Sequence, residues 1–283
     1  MDETGLAASS WPEDPWSDYR DFKRAHFGTA DERTSPQKIA AKLRVVRYSP
    51  FVREYGTQGW SGMAYDIPSY DCFVSLGGAG WAPASWEEQA GTFMHELGHT
   101  LALRHGGSDD IKFKPNYYSV MNYLWQVPPR QGALGGIAAA AIANLRGSWP
   151  HDYSRYERAP IVEDGARESE AIARPEEPVG WTVVGPPCIS VTDLTMLVRT
   201  DRKVDWDRDG TIDSVGVCVD ANYLINCSPG DPNCAPASPG DTLRGQQDWG
   251  LLEFGSSTPP VWGPAAAQRM AFASSDELTW AIR

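Results

Sequence analysis

Three of the five histidines in this 283-residue chain fall within the eleven residues from His95 to His105, and their spacing restricts the backbone more than any other feature. Residues four apart on an α-helix stand one turn above each other on one face. A helical His95-Glu96-Leu97-Gly98-His99 therefore aims two imidazoles at a common point, where a tetrahedral zinc ion accepts them. His105 constrains the chain further. On a straight helix it would lie about 15 Å along the axis from His95, too far to share one ion. The helix must stop near Leu101 and the chain must turn. Glu96 then falls beside the ion instead of on it, where a carboxylate takes a proton from an activated water and passes it to a leaving amine.

Other completions of the ligand set are few. No glutamate occurs between Glu96 and Glu157, and only Asp109, Asp110 and Asp152 offer carboxylates there. His105 is thus the economical third ligand, with an aspartate as the alternative. Ser85 and Glu88 read as the capping box that starts the helix, and Ala90, Met94, Leu97 and Leu101 recur at helical spacing as a core-facing stripe.

The set His95, Glu96, His99 and His105 resembles the H-E-x-x-H-x-x-G-x-x-H pattern of the metzincin zinc peptidases at every ligand position. Ala102 stands where that family has its turn glycine, and an alanine in the left-handed region costs roughly 1–2 kcal/mol. Downstream, Ser119, Met121 and Tyr123 match the S-x-M-x-Y turn of the astacin-like and serralysin-like members. The resemblance implies that Met121 forms an apolar floor beneath the three imidazoles. It also implies that Tyr123 binds the metal or hydrogen-bonds the tetrahedral intermediate. A lone H-E-x-x-H arises by chance in many helices and a lone buried methionine usually fills a core, so the conjunction carries the weight.

The expected architecture is α+β. A metzincin-like catalytic domain spans residues 1–175, with a mixed, mostly parallel sheet, an active-site helix and a small C-terminal subdomain. An irregular, loop-rich extension follows over 176–283, after a boundary marked by Pro175, Pro178, Pro186 and Pro187. Leu43 to Arg47 and Cys72 to Leu76 read as β-rich, and Gly62-Met63-Ala64 as a short edge strand. Family members bind extended substrate along an antiparallel edge strand, for which the segment from Ser61 to Leu76 is the counterpart. Residues 1–40 lack the usual opening of strand, helix and strand; either Asp18 to His26 is a replacement helix or the sequence begins downstream of that opening.

The extension carries Asp205-Trp206-Asp207-Arg208-Asp209-Gly210-Thr211-Ile212-Asp213, in which Asp205, Asp207, Asp209, Gly210 and Asp213 match positions 1, 3, 5, 6 and 9 of an EF-hand-type loop. Alternate carboxylates suit Ca²⁺, and the glycine permits the bend. Gly216 replaces the acid at the twelfth position, leaving Asp220 as the substitute. Of the five cysteines, Cys227 with Cys234 and Cys188 with Cys218 are the expected disulfides, which imply an oxidising compartment and a secreted protein. Cys72 remains as a buried free thiol in a strand, since the sequence around it lacks a cysteine-switch motif.

A net charge of −12 and a pI near 4.8 exclude phosphate-backbone binding as a main function. No basic segment followed by an apolar run opens the sequence, and the alanine- and glycine-rich run from Gly132 to Leu145 is too short to span a bilayer. The expected partner is a protein or peptide substrate, and the expected activity is zinc-dependent endopeptidase hydrolysis. Two rivals remain: a zinc-binding protease homologue acting without turnover as a binding module, and a calcium-dependent adhesive protein whose histidines hold zinc for stability alone.

Overall fold

The computed structural model describes residues 15–54, 60–78, 81–128, 152–177, 179–188, 195–222 and 241–262. The run Gly132 to Leu145, Pro178, and Cys227 with Cys234 lie outside the described residues. Contacts divide the described chain into two units, residues 15–103 with 252–262 and residues 104–251.

The described part of the first unit begins with three helices: α1 (Pro15–His26), α2 (Ala30–Arg33) and α3 (Pro36–Lys42). The replacement helix expected over Asp18 to His26 is therefore present as α1. Thr29 caps α2 through a reciprocal box with Glu32, and Ser35 caps α3 with Pro36 in the first turn. The helix runs on into the expected β-rich segment, because Leu43 N–H still donates to Ile39 and the Val45 and Val46 N–H groups donate back to Lys42. Leu43 to Arg47 is consequently a helix exit and not a strand. Trp16, Tyr19, Val52, Phe73 and Val261 form one apolar cluster, and Phe27, Ile39 and Leu43 another. At the edge of the first, the buried Asp71 accepts hydrogen bonds from Lys23, from the Tyr19 hydroxyl and from Val261 N–H.

β1 (Gly62–Ala64) pairs antiparallel with β2 (Cys72–Val74); the first has the expected bounds and the second stops at Val74, short of the expected Leu76. The expected parallel component is confined to the other side of β2. There Tyr48 N–H donates to Tyr70, Cys72 N–H to Tyr48, Val74 N–H to Pro50 and Val52 N–H to Val74, the slanted pattern of a parallel pair. Pro50 has no N–H, so one rung is missing and isolated bridges remain in place of a strand. All three strand ladders among the described residues are antiparallel, which corrects the expectation of a mostly parallel sheet. α4 (Trp86–Thr100) packs on β1 and β2.

In the second unit, β3 (Arg158–Val162) pairs antiparallel with β6 (Thr242–Gly245), and β4 (Trp181–Val184) with β5 (Met196–Arg199). Ile161, Ile172, Val184, Val204, Trp206, Val219 and Leu243 pack into its core. A disulfide joins Cys188 to Cys218, with Cα atoms 5.4 Å apart. Among the described residues, no helix is long and apolar enough to cross a membrane.

Candidate metal centre

The helix that carries the histidine motif starts where the capping box puts it. Ser85 Oγ accepts from Glu88 N–H and the Glu88 carboxylate accepts from Ser85 N–H. Its buried face is not the apolar stripe expected from Ala90, Met94 and Leu97, all of which remain half-exposed; of that series Leu101 alone is buried. The buried residues are Glu88, Gly91, Thr92, His95, Glu96, Gly98, His99 and Thr100. The buried face of α4 is thus polar, with Glu96 against Gly62 of β1, and the apolar period is half-exposed.

The bend after the helix closes by a Schellman arrangement. Leu103 N–H donates to Gly98 at 3.0 Å and Ala102 N–H to His99 at 3.1 Å, with Ala102 at φ 78°. Alanine thus adopts the left-handed conformation for which the resemblance calls for glycine. The terminator also orients a ligand: Leu103 O lies 2.8 Å from His99 Nδ1. A carbonyl only accepts, so the proton sits on Nδ1 and the lone pair on Nε2. His99 Nε2 in turn lies 3.0 Å from His95 Nε2. Nitrogens of His95, His99 and His105 all fall within 4.8 Å of one another. Histidine donors clustered in this way fit a zinc-type ion, because imidazole is a favoured zinc ligand.

Glu96 is fully buried and lies against β1. A methyl group built on Gly62 would come within 2.9 Å of Glu96 Cγ, 3.1 Å of Glu96 Oε1 and 2.6 Å of Phe73 O. The missing side chain at Gly62 is what admits the carboxylate. Sequence reasoning placed Gly62 in a strand without seeing this role, since nothing local links positions 62 and 96.

In the second unit the aspartates weighed as alternative ligands are engaged elsewhere. Asp109 holds the buried Lys114 ammonium at 3.0 Å, Asp110 pairs with Arg104, and Asp152 pairs with Arg155. Lys114 also donates to Gly106 O at 2.9 Å, which fixes the turn just after His105. Tyr123 brings its hydroxyl to 2.8 Å from His105 Nε2, with ring centroids 4.4 Å apart.

The S-x-M-x-Y segment is a turn: Ser119 Oγ accepts from Met121 N–H at 3.1 Å, and Ser119 O accepts from Asn122 N–H at 3.0 Å. Met121 is fully buried. Beneath the turn sits Asp248, which the sequence did not single out. Its carboxylate accepts from the Tyr117 hydroxyl at 2.7 Å, from Ser154 N–H at 2.8 Å and from the Ser119 hydroxyl. Burial pushes the Asp248 carboxyl above the usual carboxylate range, and these hydrogen bonds oppose the push.

The acidic loop folds as the spacing requires, with Gly210 at φ 91° and Asp205 Oδ2 accepting from Gly210 N–H at 3.0 Å. Two sets of carboxylates converge within 4.8 Å: Glu168 with Asp205 and Asp207, and Asp207 with Asp209 and Asp213. Glu168, fully buried, was missed by the sequence reading. It accepts from the N–H groups of Trp206, Asp207 and Asp213 and so ties the loop to a distant segment. Asp220 does not complete the loop; it belongs with Glu163. Cys72 is buried in β2, where burial raises its thiol to about 12, consistent with an inert structural cysteine.

No protein-family model, curated protein or solved structure matches the chain.

Proposed function

We propose that this protein is a secreted zinc metalloendopeptidase. The observation that carries the reading is the convergence of His95, His99 and His105 around a helix end whose terminator fixes the His99 tautomer, with Glu96 buried one residue after the first ligand. His95, His99 and His105 would hold the ion. Bound zinc supplies Lewis acidity and brings the pKa of water to about 7. Glu96 accepts the proton of the attacking water and delivers it to the leaving amine nitrogen. Tyr123, its hydroxyl beside the third ligand, donates to the carbonyl oxygen as negative charge develops there. Among the described residues β1 pairs only with β2, and its other edge offers backbone groups to an extended peptide. The Cys188–Cys218 disulfide is compatible with an extracellular location.

The decisive experiment is peptide-library cleavage by the zinc-loaded protein with and without a chelator, alongside Glu96→Ala and His105→Ala. Glu96→Ala retains zinc and loses turnover by ~10²-fold or more, and His105→Ala loses zinc. Wild-type protein that retains zinc and cleaves nothing selects the binding module instead.

We further propose that the 205–213 loop, with Glu168, holds Ca²⁺ as a structural clip. Calcium then raises the melting temperature at constant zinc, and Asp207→Ala removes the rise. An unmoved wild-type midpoint over millimolar calcium makes the loop an ordinary acidic turn.

A further inference from the structure

Glu163, at the end of β3, and Asp220 are buried carboxylates in the core of the second unit, with side chains fully buried and 7% exposed respectively. Neither has a cation beside it among the described salt bridges. Glu163 Oε1 accepts from Ala221 N–H at 2.9 Å, but Glu163 Oε2 and Asp220 Oδ1 are buried without a hydrogen-bond partner. Asn222 adds a third such oxygen, its Oδ1, while its amide nitrogen donates to Lys112 O at 3.3 Å. The backbone knits these residues together: Val219 N–H donates to Glu163 O and Glu163 N–H to Asp241 O. Asp241 contributes further negative charge to both acids.

The N–H groups of Ala221 and Asn222 both act on the Glu163 carboxylate, which draws the 220–222 segment to it. They leave Glu163 Oε2, Asp220 Oδ1 and Asn222 Oδ1 unmatched, and buried unmatched acceptors are expensive, ionised ones more so. A hard cation converts that cost into coordination, because Ca²⁺ takes six to eight oxygen ligands from carboxylates, side-chain amides and water. Zinc and other soft-ligand metals are poorly served, since neither sulfur nor imidazole belongs to the group.

We propose that Glu163 and Asp220, with the side-chain oxygen of Asn222, form a calcium site separate from the 205–213 loop. Its ligands come from two stretches of chain, so the ion fastens the end of β3 to the segment that follows the Cys188–Cys218 disulfide. The electrostatics agree. Without an ion, burial first and the neighbouring Asp220 charge second raise the Glu163 carboxyl to about 7, while burial and the Asp241 charge raise Asp220 to about 6.

The test uses full-length, zinc-saturated protein in which the 205–213 loop is disabled by Asp205→Asn and Asp207→Asn. Equilibrium dialysis at pH 7.5 against calcium up to about 10 mM, beyond the ~10⁻³ M of weak extracellular sites, measures what remains bound. The loop-disabled protein is expected to retain calcium, and adding Glu163→Gln and Asp220→Asn is expected to abolish it. Both substitutions keep side-chain shape and remove repulsion, so melting without calcium should be unchanged or higher, which separates lost binding from lost folding. Loop-disabled protein that binds no calcium overturns the site, as does retention that survives the two further substitutions. Should the substituted chain fail to fold, Asp220→Asn alone serves, and undiminished calcium affinity in it is equally fatal.

Discussion

Replacing Asp248 by alanine tests whether the turn carrying Met121 and Tyr123 is held from below by one buried carboxylate. The substitution leaves the Tyr117 hydroxyl, the Ser119 hydroxyl and Ser154 N–H without their acceptor in a fully buried place. Each stranded donor costs about 1–3 kcal/mol, which sums to roughly 3–9 kcal/mol before relaxation. Burial already disfavours the ionised carboxyl, so its loss returns some desolvation energy. Water entering the space left behind offsets more, and the expected net loss is about 3–5 kcal/mol. Urea denaturation with an unchanged slope measures it. A double-mutant cycle isolates the cause: Tyr117→Phe costs about 1–2 kcal/mol in the wild type but is neutral to stabilising once Asp248 is alanine, because it then removes a donor that is already stranded. A loss under about 1 kcal/mol for Asp248→Ala, or an equal cost for Tyr117→Phe in both backgrounds, refutes the argument.

Ala102→Gly should stabilise the protein by about 0.5–1 kcal/mol, since relief of a left-handed alanine exceeds the entropy that glycine adds to the unfolded chain; a lower melting temperature contradicts this. Gly62→Ala forces a methyl group against Glu96 and Phe73 O, so it should cost about 1–3 kcal/mol and depress kcat at unchanged zinc content; wild-type kcat means that Glu96 does not depend on the space at Gly62. Reducing the Cys188–Cys218 disulfide releases a loop of sequence separation 30 and should lower stability by about 3–4 kcal/mol, read from denaturation with and without reductant; no change would remove it from the stability argument.

What the sequence determined by itself is what short-range geometry dictates. Helical spacing pairs His95 with His99, the capping box sets the start of α4, and the position of His105 demands a bend that the chain makes at Ala102 in spite of its Cβ. The strands at Gly62–Ala64 and Cys72–Val74 and the turn at Gly210 are likewise written in a few adjacent residues. Tertiary structure alone decided which face of α4 is buried: its polar residues, with Glu96 against Gly62 of β1, are covered, and the apolar period is left half-exposed. It alone brought Asp248 beneath Ser119 across 129 positions, Glu168 to the acidic loop across 38 to 45, and Asp220 away from that loop to Glu163. Local spacing fixes directions along one helix or turn. A buried carboxylate's partners are fixed by where distant segments come to rest, and no period in the sequence records that.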